Sequence, residues 1–195
     1  AAWGSTAIEG CTLSLEAVRG LIEGKKALGY PSKDVRMAQN YLAALEWLQK
    51  REQAAHITEK DVLYLHKLMG EGACDDGPIG AYRQLAVRAG LHVGAPWKQV
   101  PGLMHELLHW LNTEANELPA VFSSSILHLR FVEIHPFRDG NGRLARALAT
   151  WQLYRAGFDT LHVFAIDEVL LENRNLYIKA LQRVQAEDGR KDSHY

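Results

Sequence analysis

Apolar residues recur three and four apart along most of this 195-residue chain, the spacing of one face of an α-helix. Leu15, Val18, Leu21 and Ile22 mark such a face within Leu13–Leu28. Gly29-Tyr30-Pro31-Ser32 is a turn, with Ser32 placed to cap the next helix. Met37, Tyr41, Leu42, Leu45 and Leu48 predict a long amphipathic helix over Val35–Arg51. Thr58-Glu59-Lys60-Asp61 has capping-box spacing, with Asp in the Glu/Gln position. It opens a helix whose apolar face is Val62, Leu63, Leu65, His66, Leu68 and Met69. Val100, Leu103, Met104, Leu107, Leu108 and Leu111 stripe another. Asn116-Glu117-Leu118-Pro119 predicts a break, Ala120–Ile134 a mostly apolar helix, and Leu144–Tyr154 a helix that stops at Gly157. Phe158–Phe164 reads as a connector and Ile166–Glu187 as helix in two pieces. One region departs from this period. Gly70–Tyr82 is rich in Gly, Asp and Pro. Beyond it, Leu85, Val87 and Gly90-Leu91 predict either a short β-hairpin or an irregular surface excursion within Gln84–Val93. The pattern as a whole predicts a mainly α bundle, with this region as its candidate for one short β-hairpin.

Composition narrows the class without naming a function. With 47% hydrophobic and 23% charged residues, the chain suits one domain with a sizeable core, or one plus a small appendage. A net charge of −1 gives no basic footprint, so no nucleic acid is expected as a partner. No apolar run is long enough to span a membrane, and no basic-then-apolar leader opens the chain. Cys11 and Cys74 lie far apart and form no disulfide or metal pattern, which favours a reducing cytoplasm. The chain begins without Met, as a piece of a longer protein would.

The chemistry concentrates in His135-Pro136-Phe137-Arg138-Asp139-Gly140-Asn141-Gly142-Arg143-Leu144-Ala145-Arg146, between two apolar helical runs. Gly140 and Gly142 let a ligand approach the main chain. Asn141 is a good N-cap, and the first amides of the helix it opens lack internal partners and favour an anion. Arg143 and Arg146, three apart, project from one helical face and suit more than one phosphate. Asp139 beside them would repel phosphate without a cation, and Mg²⁺ held by one carboxylate plus substrate phosphates resolves this. His135 can take a proton near neutral pH. Pro136 and Phe137 read as structural. No Gly-Lys-Ser/Thr follows the glycines and no strand precedes them, which excludes a P-loop and a dinucleotide fingerprint.

With every specified position filled, this stretch resembles the Fic family signature HPFx(D/E)GNGRxxR. The resemblance implies a helical Fic-type fold that transfers AMP from ATP to a Ser, Thr or Tyr hydroxyl of a target protein. On the same footing it assigns His135 as the base, Asp139 as the Mg²⁺ ligand, Gly140, Asn141 and Gly142 as the phosphate cradle, and Arg143 and Arg146 to the outer phosphates. Ser5, Glu9 and Gly10 match the family's inhibitory motif (S/T)xxxE(G/N), which implies that Glu9 pairs with Arg146. From the residues alone this is a short helical turn, with Ser5 able to cap and Gly10 to terminate. Gly80-Ala81-Tyr82-Arg83 resembles the pattern preceding the family's hairpin flap, which implies that a target docks along Gln84, Leu85, Ala86 and Val87 by strand addition. Arg174-x-x-Tyr177 resembles another family pattern. It offers Tyr177 to a nucleoside pocket or, equally, to core packing. Residues 1–30 are expected to form an N-terminal segment with the inhibitory helix, and 31–195 the catalytic domain. Self-modification and a homodimer are compatible with this reading.

Other readings are open at this stage. Some Fic proteins remove AMP, with the inhibitory Glu orienting a water. His105-Glu106-Leu107-Leu108-His109 satisfies a zinc-peptidase pattern, but its histidines lie opposite the apolar stripe, with only Glu114, Glu117 and Glu133 as further candidates. A non-catalytic module holding a partner on the flap edge is the third alternative. His66 and His128 read as packed helix residues.

Overall fold

The computed structural model describes residues 1–191 apart from 76, 91, 159, 160, 163 and 164, with side chains described through residue 184. The described residues form nine α-helices and one hairpin. The helices are α1 (Ala2–Ile8), α2 (Leu15–Ile22), α3 (Ser32–Gln49), α4 (Glu59–Gly70), α5 (Val100–Thr113), α6 (Ala120–Ile134), α7 (Asn141–Arg155), α8 (Ile166–Glu172) and α9 (Arg174–Lys191). A short 3-10 turn, Ala115–Glu117, makes the break expected before Pro119. The predicted capping box forms. Thr58 Oγ1 accepts from the Asp61 amide at 3.3 Å, and Asp61 Oδ2 accepts from the Thr58 amide at 2.9 Å. Ser32 does not cap. Pro31 takes the cap position and Ser32 is the first helical residue, since Pro fixes φ but carries no amide to satisfy.

The core forms around α7, which is buried from Arg143 to Tyr154. A helix buried nearly all round must have neighbours on every side, and α7 packs on α6, α3, α4 and α1. Leu144, Leu148 and Trp151 are fully buried in one core cluster with Phe131, Phe137, Tyr41, Leu65 and Met104. Ser124 Oγ donates to the Ala149 carbonyl at 2.9 Å and Gln152 Nε2 to Ser123 Oγ at 3.1 Å. These pairings set α6 and α7 antiparallel, so the six residues 135–140 form a tight loop at one end of the most buried helix pair. Each large apolar side chain buried here contributes about 1.5–3 kcal/mol, and that packing is what holds the loop in place.

The hairpin is shorter than the stretch that predicted it. Strands β1 (Arg88–Ala89) and β2 (His92–Val93) pair antiparallel, Arg88 opposite Val93 and Ala89 opposite His92. Gly90 turns at φ +60°. Gln84–Val87 are not strand. They form the hairpin's approach, and the Gly94 amide, just past β2, donates to the Val87 carbonyl at 3.2 Å. The reason is Arg83, whose guanidinium is buried and takes carbonyls from both sides of the hairpin. Nη1 donates to Leu85 at 2.8 Å and Nη2 to Ala95 at 2.5 Å. The backbone after Arg83 bends around a cation instead of extending.

α1 is packed into the body of the molecule against α8, α3 and α7. Gly4 makes the α8 contact possible. A Cβ on Gly4 would stand 2.7 Å from the Asp167 carbonyl carbon and oxygen. No helix among the described residues is long and apolar enough to cross a membrane.

Candidate active site

His135 closes α6 in the left-handed region, at φ 53° and ψ 61°. A non-glycine residue there stores strain and has to be held. Three sets of bonds hold it. The His135 amide donates to the Phe131 carbonyl at 3.0 Å. Arg83 Nε donates to the His135 carbonyl at 2.7 Å and Nη2 to that of Ile134 at 3.2 Å. Asn141 brackets Phe137, accepting from its amide at 2.9 Å and donating to its carbonyl at 2.8 Å. Asn141 therefore does not cap α7, as its place in the sequence led us to expect. Gly140, at φ +79°, holds the cap position, and the Asn141 amide side chain is spent on a buried loop that would otherwise leave two main-chain groups unpaired.

His66 backs the loop. Its ring stacks on Phe137 at 3.6 Å between centroids. Nδ1 accepts from the Gly80 amide at 2.9 Å, so the ring's proton sits on Nε2 and is donated to the Asp139 carbonyl at 3.0 Å. Burial pushes its pKa down to about 4. His66 is thus a fully satisfied histidine and no ligand.

The His135 imidazole lies 3.3 Å from the Val132 carbonyl through Nδ1. A carbonyl only accepts, so Nδ1 carries the proton and Nε2 keeps its lone pair. Burial pushes the pKa down to about 4. The ring is therefore neutral at physiological pH and able to take a proton through Nε2.

The start of α7 gathers the groups expected to meet an anion. Asp139 Oδ1 accepts from the Gly140 amide at 2.6 Å and Oδ2 from the Asp75 amide at 3.1 Å. Burial pushes this carboxyl up, but the two amides, Arg143 and Lys33 outweigh it and hold it below its ordinary value. Arg143 is buried. Its Nη2 lies 3.7 Å from Asp139 Oδ1, and its Nη1 has no hydrogen-bond partner. A buried cationic nitrogen without an acceptor is a site for an anion. An ionised carboxylate beside that site fits Mg²⁺ shared with phosphate oxygens. Among the described residues no group of three His, Cys, Asp or Glu could hold a metal unaided.

Arg146 points the other way and meets α1. Nη2 donates to Glu9 Oε1 at 2.7 Å and to the Ser5 carbonyl at 2.9 Å, and Nε donates to Ser5 Oγ at 2.8 Å. Asp167 Oδ1 stands 3.4 Å from Nε. Burial alone would lower the guanidinium's pKa; Glu9, Tyr177, Tyr41 and Asp167 raise it above its ordinary value. Ser5 does not cap α1, which already begins at Ala2. It sits inside the helix because its hydroxyl is wanted by Arg146. Gly10, at φ +91°, ends α1 in a Schellman turn, with the Cys11 amide on the Thr6 carbonyl and its own on that of Ala7. Glu9 reaches over Gly142, where a Cβ would come within 2.5 Å of Glu9 Oε1. Only glycine admits the carboxylate there.

Residues 56–153 match the Fic/DOC family. The chain belongs to the Fic/DOC family. It is 36% identical over 162 residues to the protein adenylyltransferase Fic of Drosophila grimshawi, covering 79% of this chain and 32% of that protein. It is 35% identical over the same length to that of Drosophila mojavensis, with 79% and 31% covered. The chain thus spans about a third of the length of these relatives. Among solved structures, a Fic family protein from Desulfovibrio desulfuricans G20 superposes with a TM-score of 0.82 at 32% identity, covering 95% of this chain and 56% of that one. A Fic domain containing signaling protein from Bacteroides thetaiotaomicron VPI-5482 gives 0.79 at 26% identity, with 93% and 69% covered.

The Fic signature thus folds into one loop and one helix start, but its two arginines diverge, Arg143 toward Asp139 and Arg146 toward α1. Tyr177 joins the Arg146 side. Burial raises its pKa, the guanidinium opposes that, and its hydroxyl hydrogen-bonds His128 Nε2 at 3.1 Å. His105, Glu106 and His109 are exposed on α5, with no third ligand among the described residues. Sequence reasoning missed Asp167, Tyr41 and the bracing role of Arg83. Arg83 had a signal in the Gly80-Ala81-Tyr82-Arg83 pattern. Asp167 had none, since an acidic residue in a helix's first turn is ordinary.

Proposed function

We propose that this Fic domain transfers AMP from ATP to a hydroxyl of a target protein and that Glu9 inhibits it. The observation that carries this reading is Glu9 on Arg146 at 2.7 Å, a carboxylate occupying the charge complement of a phosphate. The relatives' names support the transfer. In this reading residues 1–30 form the regulatory segment and 31–195 the catalytic body. The α7 amides and Arg143 bind and orient the phosphates. His135 Nε2 accepts the proton of the target Ser, Thr or Tyr hydroxyl as its oxygen attacks the α-phosphorus, and pyrophosphate leaves. Asp139 would hold Mg²⁺, which would supply charge neutralisation of the phosphates. Arg146, once freed from Glu9, receives the terminal phosphate. The acceleration comes from positioning and preorganised charge. A target strand added to the hairpin edge presents the hydroxyl.

Wild type, Glu9→Gly and Glu9→Gly/His135→Ala, each incubated with ATP and Mg²⁺ and read by intact mass, test this. An AMP adduct on Glu9→Gly alone is the expected result. Equal adducts on wild type and Glu9→Gly would remove the inhibitory role. If no adduct forms but an AMP-modified protein loses its AMP only when Glu9 is present, Glu9 orients the water that hydrolyses the AMP bond.

A further inference from the structure

The loop after α4 brings Cys74 to the rim of the cradle. Its sulfur lies 3.4 Å from Arg143 Nη2 and 3.4 Å from where a Cβ on Gly140 would stand. Cys74 is half-buried, whereas Cys11 is buried. Beside it Arg143 is 3% exposed, and its Nη1 lacks an acceptor. A thiol, an unsatisfied guanidinium and a glycine wall therefore meet at one point. Any group carried on that sulfur stands between Gly140 and Arg143, and an anionic group gives Arg143 the acceptor it lacks.

We propose that Cys74 is a thiolation site whose adduct closes the phosphate cradle, the modifying species being a low-mass acidic disulfide. The inference rests on the cradle reading given under Proposed function. The Cys74 thiolate attacks one sulfur of the disulfide. A new S–S bond forms to Sγ as the old one breaks, and the displaced sulfur leaves as a thiolate that takes up the proton given up by Cys74. Cys74 is oxidised and the released half is reduced, so no further reactant is required. The attached half places its carboxylates within reach of Arg143 and fills the volume the phosphates need. The exchange is run at mildly alkaline pH, where any thiol is more ionised.

The test uses oxidised glutathione on Glu9→Gly and on Glu9→Gly/Cys74→Ser, with adducts located by mass spectrometry and ATP·Mg²⁺ binding measured by calorimetry. Glu9→Gly should gain one adduct at Cys74 and none at Cys11, lose affinity roughly tenfold or more, and recover it with dithiothreitol. ATP·Mg²⁺ added beforehand should slow the adduct. The Cys74→Ser variant should have the same affinity before and after treatment. An adduct at Cys74 with unchanged affinity overturns the inference, as does no adduct under conditions that thiolate the unfolded chain. If untreated Glu9→Gly binds no ATP, the cradle reading has failed and the inference falls with it. That failure is separable because it precedes treatment.

Discussion

At the scale of single residues, the site is a set of buried polar side chains each holding main chain in a shape it would not take alone. Asn141 is the clearest case. Replacing it with Ala strips both the amide and the carbonyl of buried Phe137 of partners, which should cost about 2–4 kcal/mol, read as a lower urea midpoint at unchanged slope. His135 makes a kinetic prediction. With its pKa at about 4 against an ordinary 6.5, transfer by Glu9→Gly should stay flat on the acid side down to about pH 6. A half-maximal loss near 6.5 would show that the imidazole is not held neutral in the working complex. The residues of the signature were legible because their composition is chemically odd. Their tasks were less so. Asn141 and Ser5 stand where caps belong, and spacing says which positions can cap. It does not say that a buried loop or a distant arginine will claim the side chain first.

Elements add the question of what keeps Glu9 in place. α1 is too short to be stable by itself, so its position depends on its neighbours. Gly4 lies against the α8 backbone, and Arg174 Nε donates to the Ile8 carbonyl at 3.3 Å. Gly4→Ala should push α1 off α8, loosen Glu9 from Arg146 and raise ATP affinity part of the way toward that of Glu9→Gly, measured by calorimetry. An affinity equal to wild type would show that α1 tolerates the added methyl without shifting. The helices were legible because amphipathic period survives in the sequence, and α6 spans the residues read for it, Ala120–Ile134. The hairpin was legible as a departure from that period but was placed too early. Its local residues do not reveal that Arg83 would gather carbonyls from 85, 95, 134 and 135.

At the scale of the whole molecule, burial lowers the pKa of four histidines among the described residues, His66, His92, His128 and His135. His66 and His135 are lowered to about 4, and His128, with Arg146 adding to burial, to about 3. The unfolded chain binds protons on these rings below an ordinary pKa of 6.5, and the folded chain does not until about pH 4. Stability should therefore be full above that ordinary value and fall as pH drops through the window. Urea midpoints measured from about pH 7.5 to about pH 5 check this, and a midpoint that rose on acidification would contradict it. At this scale the family was legible from one loop, whereas the contact between α1 and α8 was not. It joins residues more than 150 positions apart, such as Ala1 and Glu168, and no local pattern spans that distance.

Arg83 fixes a length. The guanidinium that shapes the hairpin's base also grips the carbonyl of His135 at 2.7 Å, and Gly94 lies so close that a Cβ there would stand 2.8 Å from Arg83 Nη2 and 3.0 Å from His135 Cβ. The hairpin cannot lift from the imidazole without stripping a buried cation of its carbonyls. In the proposed reading, a segment laid along the strand edge is then gauged against a rigid ruler. Its hydroxyl reacts only if its side chain reaches as far as Nε2, so the length of that side chain, more than the sequence around it, sorts serine and threonine from tyrosine.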